Sequence, residues 1–247
     1  MKIALVTSEV TYVPENSYSF YEDLLETKSS TIGGLFIVRN VSFDILVKIL
    51  WLYAIGCSHI ATTLVRNIVD LRKHKLERLF RRYNVPIVKI DSVNDSKIVD
   101  WVTTSNIDLV INFRARCIFK KELLAAPRLG CVNIHHGILP KYRGLFCDLY
   151  ALYENRPAGF TIHKMENEID AGSIFLTKIV SNGEKDYSMY LARLAKEESS
   201  ALGEFIDIVQ GNDSLPQGIP NVDAQKIVTK TPNRAEIKRM LAEGLVL

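Results

Sequence analysis

The strongest constraint in this sequence is an alternation of short apolar runs with stretches of helical spacing. Lys2–Thr7 and Leu35–Val38 are runs of the kind that fill parallel strands buried on both faces. Residues 68–83 then set Val69, Leu76, Leu79, Phe80 and Tyr83 on one helical stripe, with Arg and Lys opposite. Val85–Ile90 reads as a strand, and Asp95–Thr103 as a helix with Asn94 or Asp95 as its cap. Asp108–Phe113 and Cys131–His135 are again strand-like, separated by a helical KKELLAAP. Strand and helix in this order predict an α/β fold, a mostly parallel sheet with helices on both faces and right-handed connections.

The second half changes character. Gly159–Met165 and Ser173–Val180 are two extended runs around a loop rich in acid and glycine. A long helix follows from Asp186, with Tyr187, Tyr190, Leu191, Leu194, Leu202, Phe205, Ile206 and Val209 on one face, and Gln210-Gly211 ends it. The linker LPQGIPN leads to a small helix near Arg234–Glu243. The expected division is a catalytic domain over 1–211 and a short extension over 212–247. That extension could pack on the core, cover a site or mediate a homodimer.

A chain that is 47% hydrophobic and 24% charged has ample material for a core, which excludes a disordered chain or a fibre. The net charge of +3 is too small for a general nucleic-acid binder, yet residues 61–90 carry eight Lys/Arg against two acidic side chains. Cys57, Cys117, Cys131 and Cys147 have no CxxC spacing, so neither a metal site nor a disulfide framework is expected. The opening MKIALVTSEV lacks the order of a signal peptide, and a cytoplasmic setting is the default. Ile49–Val65 is 17 residues without a charge, short of the roughly 20 that span a bilayer. The favoured reading is a buried helix of an α/β layer. The alternative makes 45–82 an interfacial element, an apolar helix followed by a cationic one, in peripheral contact with a membrane.

In CVNIHHGILPKYRG, Asn133 and His135 stand two residues apart on a strand and so share a face. Downstream, ENEIDAGSI places Asp170 in a tight loop before the next strand. An amide donor, an imidazole and a carboxylate suit acyl transfer to an amine. The amide and a protonated imidazole can stabilise an oxyanion, and the carboxylate can orient the imidazole and relay a proton. No serine or cysteine elbow accompanies them, which favours direct attack over a covalent intermediate. Satisfied structural polar residues explain the same pattern about as well.

The runs LGCVNIHHGILPKYRG and GFTIHKMENEIDAGSIF together resemble the folate-dependent formyltransferase family, which includes glycinamide ribonucleotide, methionyl-tRNA and sugar N-formyltransferases. The resemblance covers roughly 75–211. It implies a Rossmann-like catalytic domain and 10-formyltetrahydrofolate as donor. It also implies that Asn133, His135 and Asp170 are catalytic. By the same resemblance the pterin is held, largely by backbone, at Arg116, Cys117 and Ile118 within 114–119, at the turn Gly137, Ile138, Leu139 and Pro140, and at Ile169 in the loop closing over it. His136, Tyr142 and Arg143 are expected on the acceptor side.

Departures from the family pattern narrow the acceptor. The family commonly has Pro-Ser after the catalytic His, where this chain has His136-Gly137. The purine enzyme holds its substrate's phosphate with a glycine-rich loop after the first strand, whereas this chain reads TYVPENSYSF there, with no glycine. The tRNA enzyme carries an additional barrel, and the 36 residues after Gly211 are too few for one. The reading that results is a formyltransferase acting on a primary amine of an amino sugar, nucleotide- or lipid-linked. The alternatives are a methionyl-tRNA formyltransferase-like enzyme and a non-catalytic folate- or sugar-nucleotide-binding homologue. His163, on a strand, is expected to support the site from behind.

Overall fold

The computed structural model describes residues 1–72 and 74–247. In chain order the elements are β1 (Ile3–Ser8), α1 (Tyr18–Lys28), β2 (Ile32–Val38), α2 (Phe43–Ala54), α3 (Ser58–Arg72), α4 (Lys75–Arg82) and β3 (Ile87–Ile90). Then come α5 (Ser96–Thr104), β4 (Leu109–Phe113), α6 (Lys121–Ala125), β5 (Cys131–His135), β6 (Tyr142–Gly144) and α7 (Cys147–Tyr153). The chain continues through β7 (Ala158–Lys164), β8 (Ile174–Ser181), α8 (Tyr187–Asn212), β9 (Ile227–Thr229) and α9 (Arg234–Ala242).

Seven strands form one sheet in the order β3-β2-β1-β4-β5-β7-β8. The first five are parallel, and β7 and β8 add an antiparallel edge. Alternate residues of each central strand enter opposite layers, as the two-residue strand period requires. On β1, Ile3 and Leu5 join the larger core with α1, α4, α7 and α8, while Ala4 and Val6 join a smaller one with α5 and α6. This is the Rossmann-like arrangement, with helices on both faces. Its chain order reverses between β1 and β4, and open α/β sheets build their sites outside the carboxyl ends of strands at such a point.

The uncharged run 49–65 is not one buried helix. Gly56, at φ +90, breaks it into α2 and α3. On α2 only Ile49 and Leu52 are buried, and Phe43 (77% exposed), Leu46, Val47, Leu50 (71%) and Tyr53 leave an apolar face open. Among the described residues no helix is long and apolar enough to cross a membrane. The expected helix over 68–83 is likewise two, α3 and α4, with His74 at φ +49 ahead of α4, and Val69 is exposed rather than on the buried stripe. Asp95 caps α5 and Asp186 caps α8 by accepting from Lys97 N and Met189 N.

Residues 212–247 pack on the rest of the chain. Strand β9 pairs with β6 beside β5, Ile237 and Met240 of α9 enter the larger core, and Leu247 O accepts from His59 N.

Candidate active site

Above the carboxyl ends of β1, β4 and β5 lies a cleft of about 230 Å3. Its walls include Ser8, Tyr12, Asn112, Arg114, Arg116, Asn133, His135, His136, Phe146 and Asp148. Strand β5 sends Val132 and Ile134 into the larger core, which turns Asn133 and His135 to the opposite face. Asp170, at φ +51 in the loop before β8, comes over them. Its Oδ1 lies 3.5 Å from His135 Nδ1, and its Oδ2 accepts from Gly144 N at 2.9 Å. Gly144 itself sits at φ +97, and a Cβ there would meet Thr229 O at 2.3 Å. Asn133, His135 and Asp170 are therefore brought together.

Hydrogen bonds fix which way the Asn133 amide faces. Ala115 N donates to Asn112 Oδ1 at 3.2 Å, and Asn112 Nδ2 donates to Asn133 Oδ1 at 2.9 Å. Asn133 Nδ2 then donates to His163 Nε2 at 3.2 Å, and His163 Nδ1 donates to Lys164 O at 2.7 Å. Burial and the neighbouring His135 hold the His163 pKa below its ordinary value, so its ring is neutral with the proton on Nδ1. With Nε2 unprotonated, the 3.6 Å approach of Asp170 Oδ1 to it is no ion pair. One amide proton of Asn133 is committed to His163, and the other remains available. Asn112 sits opposite Asn133 in the β4–β5 register, and no motif in the sequence marks it.

Both ring nitrogens of His135 face acceptors, Nε2 meeting Tyr142 O at 2.9 Å and Nδ1 meeting Asp170. A Cβ on Gly137 would fall 2.7 Å from His135 Nε2 and 2.7 Å from Cys147 Cβ. Glycine at 137 thus follows from how close the turn comes to the imidazole. Thr161 Oγ1 donates to Gly137 O at 2.7 Å and accepts from Leu139 N at 3.1 Å, which ties that turn to β7. The Leu139–Pro140 peptide is cis.

Other expected residues stand apart from the cleft wall. Leu139 is buried, Ile138 and Pro140 are half-buried, and Ile118 and Ile169 are exposed. Tyr142 and Arg143 do not line the cleft. Tyr142 is buried and donates to Glu154 Oε2 at 2.8 Å, and Arg143 is buried against Asn221 O at 2.8 Å and Glu168 at 3.5 Å. Asn221 itself donates from Nδ2 to Asp170 O and Gly172 O, both at 2.9 Å, and so holds the loop that carries Asp170. Nothing in the linker LPQGIPN pointed to it.

His136 does line the cleft. Its Nε2 is 2.8 Å from Glu198 Oε1 and its Nδ1 is 3.4 Å from Asp148 Oδ2, and both carboxylates are buried. Burial and the Arg114 guanidinium push its pKa down, and Glu198 with Asp148 outweighs both, leaving it above its ordinary value. Arg114 is ion-paired with Glu198 in turn. Burial pushes the thiols of Cys57 and Cys117 up to about 11, and those of Cys131 and Cys147 up to about 12. None of the four is a thiolate at neutral pH, so a cysteine nucleophile has no support.

Comparison with known proteins gives the site its context. A methionyl-tRNA formyltransferase of Thermotoga maritima is 32% identical over 140 residues, which take in 55% of this chain and 44% of that protein. The chain thus covers less than half of that relative's length. Among solved structures, a sugar N-formyltransferase from Shewanella superposes with a TM-score of 0.58 at 19% identity, over 98% of this chain and 88% of the other. The formyltransferase PseJ from Anoxybacillus kamchatkensis, solved with UDP-4,6-dideoxy-4-formamido-L-AltNAc and tetrahydrofolate, superposes with a TM-score of 0.54 at 16% identity, over 99% and 94%. These likenesses concern the fold. The family model described as Formyl transferase matches residues 69–206, more than half of the chain, and with that match the chain belongs to the formyl transferase family.

Proposed function

We propose that this cleft moves a formyl group from 10-formyltetrahydrofolate to a primary amine of an amino sugar carried on a nucleotide or a lipid. The observation that carries the reading is the hydrogen-bond chain from Ala115 through Asn112 to Asn133 and His163, which leaves one Asn133 amide proton free beside His135 and Asp170. The folate suits the residues present. Among the described residues the Cys117 and Ile118 amides make no intramolecular hydrogen bond, so donors stand open on the stretch that the family resemblance assigns to the pterin. The donor supplies an activated formyl carbon.

The chain's residues then do the remaining work. The free Asn133 N–H donates to the negative charge that develops on the formyl oxygen as the amine attacks, and it is already aimed when the reaction begins. Asp170 orients His135 through Nδ1. It also accepts the proton that the amine loses as its new C–N bond forms, and that proton is relayed to the donor's nitrogen as the old C–N bond breaks. Neutral His163 accepts from Asn133 without adding a competing charge.

For the acceptor, support comes from the superposition of nearly the whole chain on sugar N-formyltransferases. The sequence match to methionyl-tRNA formyltransferase makes an aminoacyl-tRNA amine the second reading. The deciding experiment incubates the protein with 10-formyltetrahydrofolate and, separately, a panel of amino-sugar nucleotides, lipid-linked amino sugars and methionyl-tRNA. Formylation within the sugar panel is expected. Turnover of methionyl-tRNA alone selects the second reading, and turnover of none removes the enzymatic one.

A further inference from the structure

Most charges around the cleft have a partner of opposite sign. Arg114 pairs with Glu198, His136 lies between Asp148 and Glu198, and Arg143 reaches Glu168. Arg116 and Lys48 differ. The Arg116 guanidinium is 4.7 Å from the centroid of the Tyr12 ring and 4.5 Å from that of Phe146. Lys48 Nζ, from α2, stands 5.1 Å from the same Tyr12 ring. Among the described residues neither cation has an ion-pair partner. The two rings meet edge to face at 5.6 Å, and they offset part of the positive charge while fixing where it sits. A guanidinium held this way is pre-organised for a two-pronged contact with phosphate.

The backbone at this corner offers an anion little. Nucleotide-binding folds of this type place phosphate on free amides after β1 and at the N-terminus of the next helix. Here Glu9 N donates to Val38 O, Val10 N to Asn40 Oδ1, Thr11 N to Asn16 Oδ1 and Val13 N to Thr11 Oγ1. Glu15, Asn16 and Ser17 all stand at positive φ just before α1, and Asn67 of α3 clamps the loop by donating to Thr11 O and Val13 O. Most of the amides that follow β1 are thus already committed to acceptors within the protein, and the side-chain cations around Tyr12 are the stronger anion donors at this corner.

We propose that Arg116 and Lys48, set around Tyr12 and Phe146, form an anion subsite that takes the phosphate of the acceptor. The proposal rests on the formyl-transfer reading for its choice of ligand. The amine then points inward to Asn133 and His135. Lys48 lies on α2, between β2 and α3, outside the region 69–206 that the family model matches.

The test titrates the full chain with inorganic pyrophosphate and, separately, with 5-formyltetrahydrofolate, at two salt concentrations. The variants are Arg116→Gln, Lys48→Met and the double substitution. Each single variant is expected to weaken pyrophosphate about tenfold and the double about a hundredfold with a shallower salt dependence, while Lys48→Met, which lies outside the folate stretch, keeps 5-formyltetrahydrofolate binding within twofold. Lys48→Met, on a separate element, keeps the test open if Arg116→Gln fails to fold. Absence of pyrophosphate binding by the unmodified chain, or unchanged affinity in the double variant, overturns the subsite. A loss confined to 5-formyltetrahydrofolate overturns it too, by giving the corner to the folate's carboxylates. Pyrophosphate binding that depends on both cations, without any binding of 5-formyltetrahydrofolate, leaves the subsite standing and sinks the formyl-transfer reading instead.

Discussion

At the scale of single residues, the site is a set of committed hydrogen bonds with one donor left over. His135→Ala and Asp170→Ala are each expected to cut turnover by at least about 10²-fold, the scale of losing a general acid–base group. Asn133→Asp sets a carboxylate beside the developing negative charge, so the loss is expected in kcat. Steady-state kinetics with the true acceptor checks both, and a change confined to KM for the folate would make Asn133 a binding residue. Gly137 gives a sharper test, because a Cβ there would lie 2.7 Å from His135 Nε2. Gly137→Ala is expected to lower kcat by about 10²-fold, since small misplacements of a reacting group cost on that order. Normal kinetics in that variant would show that the turn can yield.

At the scale of elements, α2 is the least settled part of the chain. Its apolar residues recur at Phe43, Leu46, Val47 and Leu50, one face of a helix, and that face is left largely open to solvent. Arg66 on α3 and Arg81 and Arg82 on α4 are exposed as well. Each basic residue close to an anionic surface contributes about 1 kcal/mol, screened over a Debye length. If the face meets lipid, the protein is expected to sediment with anionic vesicles at low salt and be released as salt rises, with Leu50→Glu abolishing the effect. No sedimentation at low salt removes the lipid contact.

At the scale of the molecule, two histidines give stability opposite dependences on pH. His136 has a folded-state pKa above its ordinary 6.5, so its contribution is complete below that value and is lost as pH rises through the folded pKa. The His163 pKa is depressed, so stability falls as pH drops below about 6.5. Denaturant melts across pH 5–9 are expected to peak between the two, and His136→Gln is expected to flatten the alkaline limb only. The parallel strands were readable because runs such as Lys2–Thr7 are buried on both faces. Asn133, His135 and Asp170 were readable because they fall inside two dense motifs. The break at Gly56 was not, since an uncharged run looks the same whether it packs or stays open. Helix α1 escaped because its buried residues, Phe20, Tyr21, Leu24 and Leu25, are interleaved with polar ones in a weak pattern. Asn112, Glu198 and Asn221 act through partners distant in sequence, and no local spacing encodes such contacts.

The clamp that Asn221 places on the Asp170 loop also has a meaning in time. A nascent chain emerging from the ribosome completes the seven strands of the main sheet at Ser181, with Asn133 and His135 already on β5. The loop that carries Asp170 still lacks its two hydrogen bonds from Asn221, and β6 lacks β9. The sheet's strands are therefore all made before the residues that clamp Asp170 beside His135. A chain cut short after α8 would keep Asn133, His135 and Asp170 and lose the clamp that holds the last of them in place.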